Sequence, residues 1–334
     1  HDNLTLFDII AQSIKKDPSK AENYAEIHRR LRLGNLMVLT AQGTPFIHSG
    51  QEYGRTKQFL DPAYKTPVSE DKVPNKSHLL RDKDGNPFVY PYFIHDSYDS
   101  SDAVNKFDWT KATDKKAYPE NVKSRDYMKG LIALRQSTDA FRLKSLQDIK
   151  ERVRLITVPG QNGVENEDVV IGYQITAPNG DIYAVFVNAD EKAREFTLGT
   201  DFAHLRNAEV LADENQAGPV GIANPKGLEW TEKGLQLNAL TAVVLRLSQG
   251  GAIVAPAVEE KPEFDLSSLE VEQEPGQAQI LAANPKTQET AVEVLSQKVL
   301  PNTGTENKSP LALAGFSILT LLGLGSLIKS KKEE

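Results

Sequence analysis

Residues 309–328 form an apolar run without a single charge. The run is about 20 residues long, enough to cross a bilayer core as a helix. Pro310 stands at its start, where a helix tolerates proline. A charged tail follows directly, Lys329-Ser330-Lys331-Lys332-Glu333-Glu334. Lysines in that position hold a helix end on the cytoplasmic side. Upstream, residues 250–299 are rich in Glu, Gln, Pro and Ala, with one aromatic, Phe264. Such a stretch cannot bury enough apolar surface to fold alone and reads as a disordered, extended linker. The folded core must therefore come from residues 1–249.

The net charge is −7, which argues against nucleic acid as a partner. The chain has no cysteine, so it has no disulfide framework and no thiol chemistry of its own. It starts with His1 and shows no signal peptide.

Residues 5–17 read as a short helix, with Leu6, Ile9, Ile10 and Ile14 on one face. A polar break follows at Asp17-Pro18-Ser19. The next helix spans 22–42, with Ile27, Leu31 and Val38 as its stripe and Gly43 ending it. His28-Arg29-Arg30 reads as the solvated face of that helix. Thr44-Pro45-Phe46-Ile47-His48 reads as a short buried strand with a proline at its entry, and His48 as a core histidine. Residues 55–108 are polar, aperiodic and read as a long loop. Residues 122–136 align Tyr127, Leu131 and Leu134 on a third helix. Helix, helix, strand, long loop and helix suit the closing part of a (β/α)8 barrel over residues 1–142. That part is not expected to hold a native fold alone.

From 143 to 249 the period changes to two. Val169, Ile171, Tyr173 and Ile175 alternate, Asn179-Gly180 supplies a hairpin turn, and 182–187 returns as the partner strand. Residues 196–198, 208–211, 235–237 and 243–247 continue the pattern, which predicts an all-β sandwich. The expected class is thus α/β plus all-β, followed by the linker and a transmembrane helix at 309–328.

Leu300-Pro301-Asn302-Thr303-Gly304, the apolar run and the basic tail stand in that order. Together they resemble the LPxTG cell-wall sorting signal of Gram-positive, streptococcal-like surface proteins, over residues 300–334. The resemblance implies that a sortase cysteine attacks the Thr303 carbonyl and breaks the Thr303–Gly304 bond. Peptidoglycan then takes the acyl group. The helix would be a transient membrane handle, and the mature protein secreted and joined covalently to the cell wall. A protein sorted in this way must be exported, so the chain is expected to be the C-terminal portion of a longer protein.

The start of the chain carries a second resemblance. His1-Asp2-Asn3-Leu4-Thr5-Leu6-Phe7-Asp8 is similar to a stretch of the α-amylase superfamily, and in particular of type I pullulanases. Gly43-Thr44-Pro45-Phe46-Ile47-His48-Ser49-Gly50-Gln51-Glu52-Tyr53-Gly54-Arg55-Thr56-Lys57 resembles the same family's eighth barrel strand and following loop. Ser97-Tyr98-Asp99-Ser100-Ser101-Asp102 and Val104-Asn105-Lys106-Phe107-Asp108-Trp109 look like a later segment, and Leu131-Ile132-Ala133-Leu134-Arg135 the last barrel helix. The resemblance covers residues 1–250.

It implies a retaining glycosidase acting on α-1,6 linkages in pullulan, glycogen or branched dextrins. Asp2 would hold the 2- and 3-hydroxyls and stabilise the transition state, with His1 as a second ring contact and Asn3 beside them. From the residues alone, without the downstream motifs, Asp2 reads first as a helix N-cap. Tyr98 and Asp99 could line a glucose subsite by stacking and hydrogen bonding. Glu52 reads as a structural residue of the loops, and Trp109 and Trp230 as core. The nucleophile and acid/base of the mechanism have no counterpart among these motifs, so this stretch alone is expected to be inactive. Asp82-Lys83-Asp84-Gly85-Asn86 resembles a calcium loop but departs from it at Pro87 and Phe93, and reads as a polar turn. No metal site and no cofactor are implied, and structural calcium elsewhere in an intact enzyme stays open. A different class of function stays open as well: a non-catalytic surface module, an adhesin or glycan binder on a degenerate barrel.

Overall fold

The computed structural model describes residues 3–157 and 169–249. All of them belong to one compact unit. His1, Asp2, the linker, the LPNTG pentapeptide and the apolar run at 309–328 lie outside the described residues.

Helix α1 (Leu6–Ile14) begins at Thr5, not at Asp2. Thr5 Oγ1 accepts from the Asp8 amide at 3.2 Å, and the Asp8 carboxylate accepts from the Thr5 amide at 3.4 Å. This reciprocal pair satisfies two donors that a helix start leaves open. The N-cap reading of Asp2 is thereby displaced. Lys15 adopts φ 54°, a left-handed cap that stops the helix before Asp17.

Helix α2 (Ala21–Thr40) is buried on nearly every side from Ile27 onward. Its first half packs Ile27 and Leu31 against Phe7, Ile10 and Ala11. The expected solvated cluster is corrected here. Arg29 is exposed, but His28 is fully buried and Arg30 nearly so. Arg30 is tolerated inside because Glu26 accepts from it at 3.0 Å and Glu191 at 3.1 Å. The C-terminus of α2 is closed by Arg135. Its guanidinium donates to the carbonyls of Leu39 (2.8 Å), Ala41 (2.8 Å) and Gly43 (2.6 Å), groups a helix end leaves unpaired.

Residues 44–48 form no strand, and Phe46 is 93% exposed. An extended segment becomes a strand only when a neighbour takes its backbone N–H and C=O groups. Among the described residues no strand pairs with it, and the His48 carbonyl accepts only the local Gln51 amide at 2.9 Å. His48 is accordingly half-buried rather than a core residue.

The expected loop at 55–108 is more ordered than its composition suggested. It holds a hairpin of β1 (Ser77–Arg81) and β2 (Pro87–Ile94), turned at Asp82–Asn86 with Gly85 at φ 86°. Asp82 Oδ1 accepts from the amides of Asp84 and Asn86, so those five residues are a polar turn. Short helices α3 (Asp102–Asn105) and α4 (Trp109–Thr113) follow. Then comes α5 (Pro119–Gln136), which buries Tyr127, Leu131 and Leu134 as its period predicts. Trp109, at the start of α4, is 71% exposed and not core.

After α6 (Leu146–Arg152) the described residues form eight strands: β3 (Val153–Thr157), β4 (Val170–Thr176), β5 (Ile182–Asn188), β6 (Arg194–Thr197), β7 (Glu209–Ala212), β8 (Leu228–Trp230), β9 (Gly234–Leu237) and β10 (Thr241–Leu247). They form an antiparallel five-stranded sheet, β3-β4-β5-β10-β7, and a three-stranded sheet, β6-β9-β8. Gly180 makes the β4–β5 turn at φ 92°. Val170, Ala184, Phe186, Val243 and Leu245 face the small sheet's Phe196, Leu235 and Leu237. The opposite face, Ile171, Ile175, Val185, Val187, Ala242 and Val244, shares a core with Leu33, Leu36 and Met37 of α2 and Met128 and Leu131 of α5. The central sheet is thus covered on both sides, by a sheet and by helices. This is why β5 and β10 read as nearly continuous apolar runs.

Candidate functional site

The site is built around residues 3–8, which carry the first family stretch. Asn3 adopts φ 67°, a left-handed conformation that Asn tolerates better than most side chains. The chain turns there and enters α1 two residues later. Asp8, completely buried, ties that turn to the segment after residue 54. Its carboxylate accepts from the Lys57 amide at 2.8 Å and from the Thr56 hydroxyl through a short bond. Burial pushes the Asp8 carboxyl above its ordinary range, opposed by the bonds from Thr56, Lys57 and Thr5. Lys57 is 2% exposed, and its ammonium donates to the Asn3 carbonyl at 2.7 Å. One loop therefore grips the Asn3 turn from two directions.

The same loop is stitched to the hairpin. The Ile94 amide donates to the Lys57 carbonyl at 3.0 Å, the Phe59 amide to Tyr92 at 2.8 Å, and Gln58 bridges Phe93. Just past β2 lies the turn that carries Tyr98 and Asp99. Ser97 is buried, whereas Tyr98 is 76% exposed and Asp99 is exposed as well. Lys76 pairs with Asp96 (3.0 Å) and Asp99 (3.3 Å) and fixes the turn. The fold thus connects Asn3 to the Tyr98–Asp99 turn through Lys57 and the end of β2, and presents Tyr98 outward. Glu52, half-buried, sits in a single 3₁₀ turn, Gln51–Tyr53, between Gly50 (φ 91°) and Gly54 (φ 78°).

Sequence reasoning passed over Asp8, Thr56 and Lys57 as positioning residues. The signal for Asp8 was the Thr5-x-x-Asp8 spacing of a capping box. Nothing local marks Lys57, whose partner is 54 positions away. A cleft of about 610 Å³ opens beside this loop. It is lined by Tyr53, Arg55, Thr56, Gln58, Phe59, Asp61, Asp108 and Lys111, among others. No cluster of three or more metal-ligating side chains occurs among the described residues. No helix among them is long and apolar enough to cross a membrane.

Comparison with known proteins finds close relatives of this chain. The family described as SpuA C-terminal matches residues 152–248, and the LPXTG cell wall anchor motif matches residues 296–334. Pullulanase A of Streptococcus pneumoniae serotype 2 is 72% identical over 377 residues, spanning 100% of this chain. The chain is a homologue of streptococcal pullulanase A. It covers 30% of the length of that relative, and likewise of the serotype 4 pullulanase A, to which it is 70% identical. Among solved structures, the catalytic module of the multi-modular glycogen-degrading pneumococcal virulence factor SpuA, in complex with an inhibitor, is 94% identical. It superposes with a TM-score of 0.73, covering 75% of this chain and 35% of that one. The group B Streptococcus pullulanase SAP, in complex with maltotetraose, is 54% identical with a TM-score of 0.69, over 75% of this chain and 31% of that one. The mixed helix-and-sheet fold resembles part of a pullulanase module. With its anchor motif, this pullulanase homologue is a cell-wall-anchored surface protein.

Proposed function

We propose that this chain is part of a cell-wall-anchored pullulanase that cleaves α-1,6 linkages in pullulan, glycogen or branched dextrins by a retaining mechanism. The observation that carries the reading is the 72% identity to pullulanase A along the whole chain. On this reading residues 1–142 close a (β/α)8 barrel, 143–249 form the β-sandwich domain, 250–299 span the wall, and 300–334 sort the protein.

Retaining hydrolysis passes through an oxocarbenium-like state, so positive charge grows at the reacting carbon. Asp2 supplies a negative group that holds the 2- and 3-hydroxyls most strongly at that moment, and His1 donates to the same ring. Asn3, which follows them, sits at the start of the loop-gripped segment. Lys57 and Asp8 act as positioning residues, because the backbone they hold carries Asp2. Tyr98 offers an exposed ring and Asp99 a carboxylate for a glucose subsite. The nucleophile and acid/base come from other parts of the intact enzyme, so this chain alone turns over no substrate.

Sorting follows from the tail. Residues 309–328 hold the precursor in the membrane as a helix while sortase cuts between Thr303 and Gly304 and transfers the chain to peptidoglycan. Leu300, Pro301 and Asn302 complete the recognised pentapeptide. The test is product analysis. The intact enzyme is expected to convert pullulan to maltotriose with α-configured new ends, and residues 1–334 to release none. Products with only shortened α-1,4 chains, or turnover by this chain alone, contradict the reading.

A further inference from the structure

Helices α2 and α5 and the loop after β7 wall a cavity of about 160 Å³. Its polar lining is Arg29 and Arg32 from α2, Glu120 and Lys123 from α5, and Glu214 and Asn215 from the loop. At roughly 30 Å³ per water molecule it has room for about five waters, enough for one phosphoryl group.

Three cations meet there, and their printed partners leave most of their donors unused. Arg29 and Arg32 stand three apart on α2 and so share a face. Arg32 is 5% exposed. Its Nη1 donates to Glu120 at 3.3 Å and to Ser124 at 3.2 Å. The rest of the fork, in a wall of the cavity, has no protein partner among the described residues. Arg29 is exposed and makes no hydrogen bond or ion pair among them. Lys123 donates to the neutral Asn215 Oδ1 at 2.7 Å and has no carboxylate within ion-pair range. The two carboxylates are turned elsewhere. Glu120 pairs with Arg32 at 3.3 Å. Glu214 Oε1 accepts from the Asn215 side-chain amide at 3.4 Å, and its Oε2 lies against Gly227, where a Cβ would stand 2.5 Å away. Burial pushes the Lys123 ammonium below its ordinary pKa, and the Arg32 charge pushes it further.

Like charges gathered in a partly buried site cost free energy that an anion among them would recover. The shape of the cluster selects the anion. A carboxylate offers two oxygens in one plane. A phosphoryl group carries about −1.5 to −2 charge and three strong acceptor oxygens that point apart. Two guanidinium forks on one helix and an ammonium on the next supply donors from separate directions, and such forks match phosphate geometry.

We propose that Arg29, Arg32 and Lys123 form a binding site for a phosphoryl group, carried by a small phosphate monoester or by inorganic phosphate. Bound there, the anion ties α2 to α5 beside the loop that the Asp213 carboxylate holds through the Asn215 and Gln216 amides. Ligand binding of this kind stabilises the folded state.

The test is calorimetric titration of the 334-residue chain with inorganic phosphate, at an ionic strength held constant with sodium chloride. A saturable one-site heat and a raised thermal midpoint are expected. Arg29→Ala and Lys123→Gln should each weaken binding about tenfold. Glu214→Gln keeps the side chain's shape, removes a repelling charge and should tighten binding. Lys129→Gln removes an exposed α5 lysine that does not line the cavity, and should leave affinity within about twofold. Circular dichroism checks each fold, and Arg29, which holds no protein partner, leaves it intact when removed. Glucose 6-phosphate bound more tightly than inorganic phosphate would mark a monoester as the ligand, and the reverse order the free ion; either result supports the site. The absence of a saturable heat overturns the inference. So does a loss through Lys129→Gln equal to that through Arg29→Ala, because general surface charge then explains the effect.

Discussion

His28 is predicted to make this fold acid-sensitive well above the carboxylate range. Its ring is fully buried, 5.4 Å from Phe7 and 4.7 Å from Tyr24, with Nδ1 at 2.9 Å from Ser124 Oγ. Burial pushes its pKa from 6.5 down to about 3, aided by the nearby Arg32 and Lys111 charges. Arg32 donates to the same Ser124 hydroxyl at 3.2 Å, so a protonated ring would have a guanidinium for a neighbour. The folded state keeps His28 neutral, while the unfolded chain protonates it near pH 6.5. Below that pH the unfolded state binds more protons, so stability falls as pH falls, until about pH 3. One pKa unit corresponds to about 1.4 kcal/mol, so lowering the pH from 7.5 to 5 costs about 2 kcal/mol through this residue alone. Carboxylates held low by partners, such as Glu26 and Asp190, lose their contribution only at lower pH. His28→Gln removes the titration whatever it costs in packing. The assay is urea unfolding of the 334-residue chain at several pH values between 5 and 7.5, followed by circular dichroism. The variant should lose about 2 kcal/mol of the parent's pH-dependent change. Parallel pH profiles for parent and variant, within about 0.5 kcal/mol, would refute the reasoning.

Two further outcomes follow from other parts of the chain. Arg135→Leu strips the carbonyls of Leu39 and Ala41 at the end of α2, and of Gly43 just past it, of their donor and should destabilise the fold by about 2–4 kcal/mol, read as a lowered urea midpoint with unchanged slope; a loss under about 0.5 kcal/mol would mean that water replaces the guanidinium. Thr303→Ala should move the protein from the wall fraction to the membrane or medium, measured by fractionation after muralytic digestion. A wall-fraction protein that still carries residues 304–334 by mass spectrometry would rule out the sorting reaction.

Which parts of this fold could be read from the sequence depends on how local their causes are. Helix α5 and the β4–β5 hairpin were legible because their signals lie within a few residues: Tyr127, Leu131 and Leu134 at helical spacing, and Asn179-Gly180 between two apolar runs. The β1–β2 hairpin was not, because Pro87 and Pro91 interrupt it and its pairing is irregular between Leu79 and Arg81. Prolines of that kind ordinarily argue against a strand. The misreading of His28 and Arg30 has a long-range cause. Glu191 is 161 residues from Arg30, and Ser124 is 96 from His28, so no window around α2 shows what lets them be buried. Phe46 erred in the opposite direction: an apolar run signals burial, but a strand needs a partner that the run itself cannot supply. At the site, the turn residues Asn3, Tyr98 and Asp99 were named from family motifs, and the fold links them through Lys57 and β2. Asp8 carries a local capping-box signal through Thr5, but its bond to Lys57, and the role of Lys57 itself, are contacts between distant segments that no local window shows.

If Asp2 stabilises the transition state of glucan cleavage, as proposed, Asp2→Asn in the intact enzyme tests it most directly. The substitution keeps the side chain's shape and removes its charge. Loss of a charge-assisted contact made mainly in the transition state should cost about 3–5 kcal/mol, on the order of a few hundred- to several thousand-fold in kcat on pullulan. Binding of unreacted substrate should change far less. A kcat kept within about tenfold of the parent's would contradict the account and leave Asp2 no part in the chemistry.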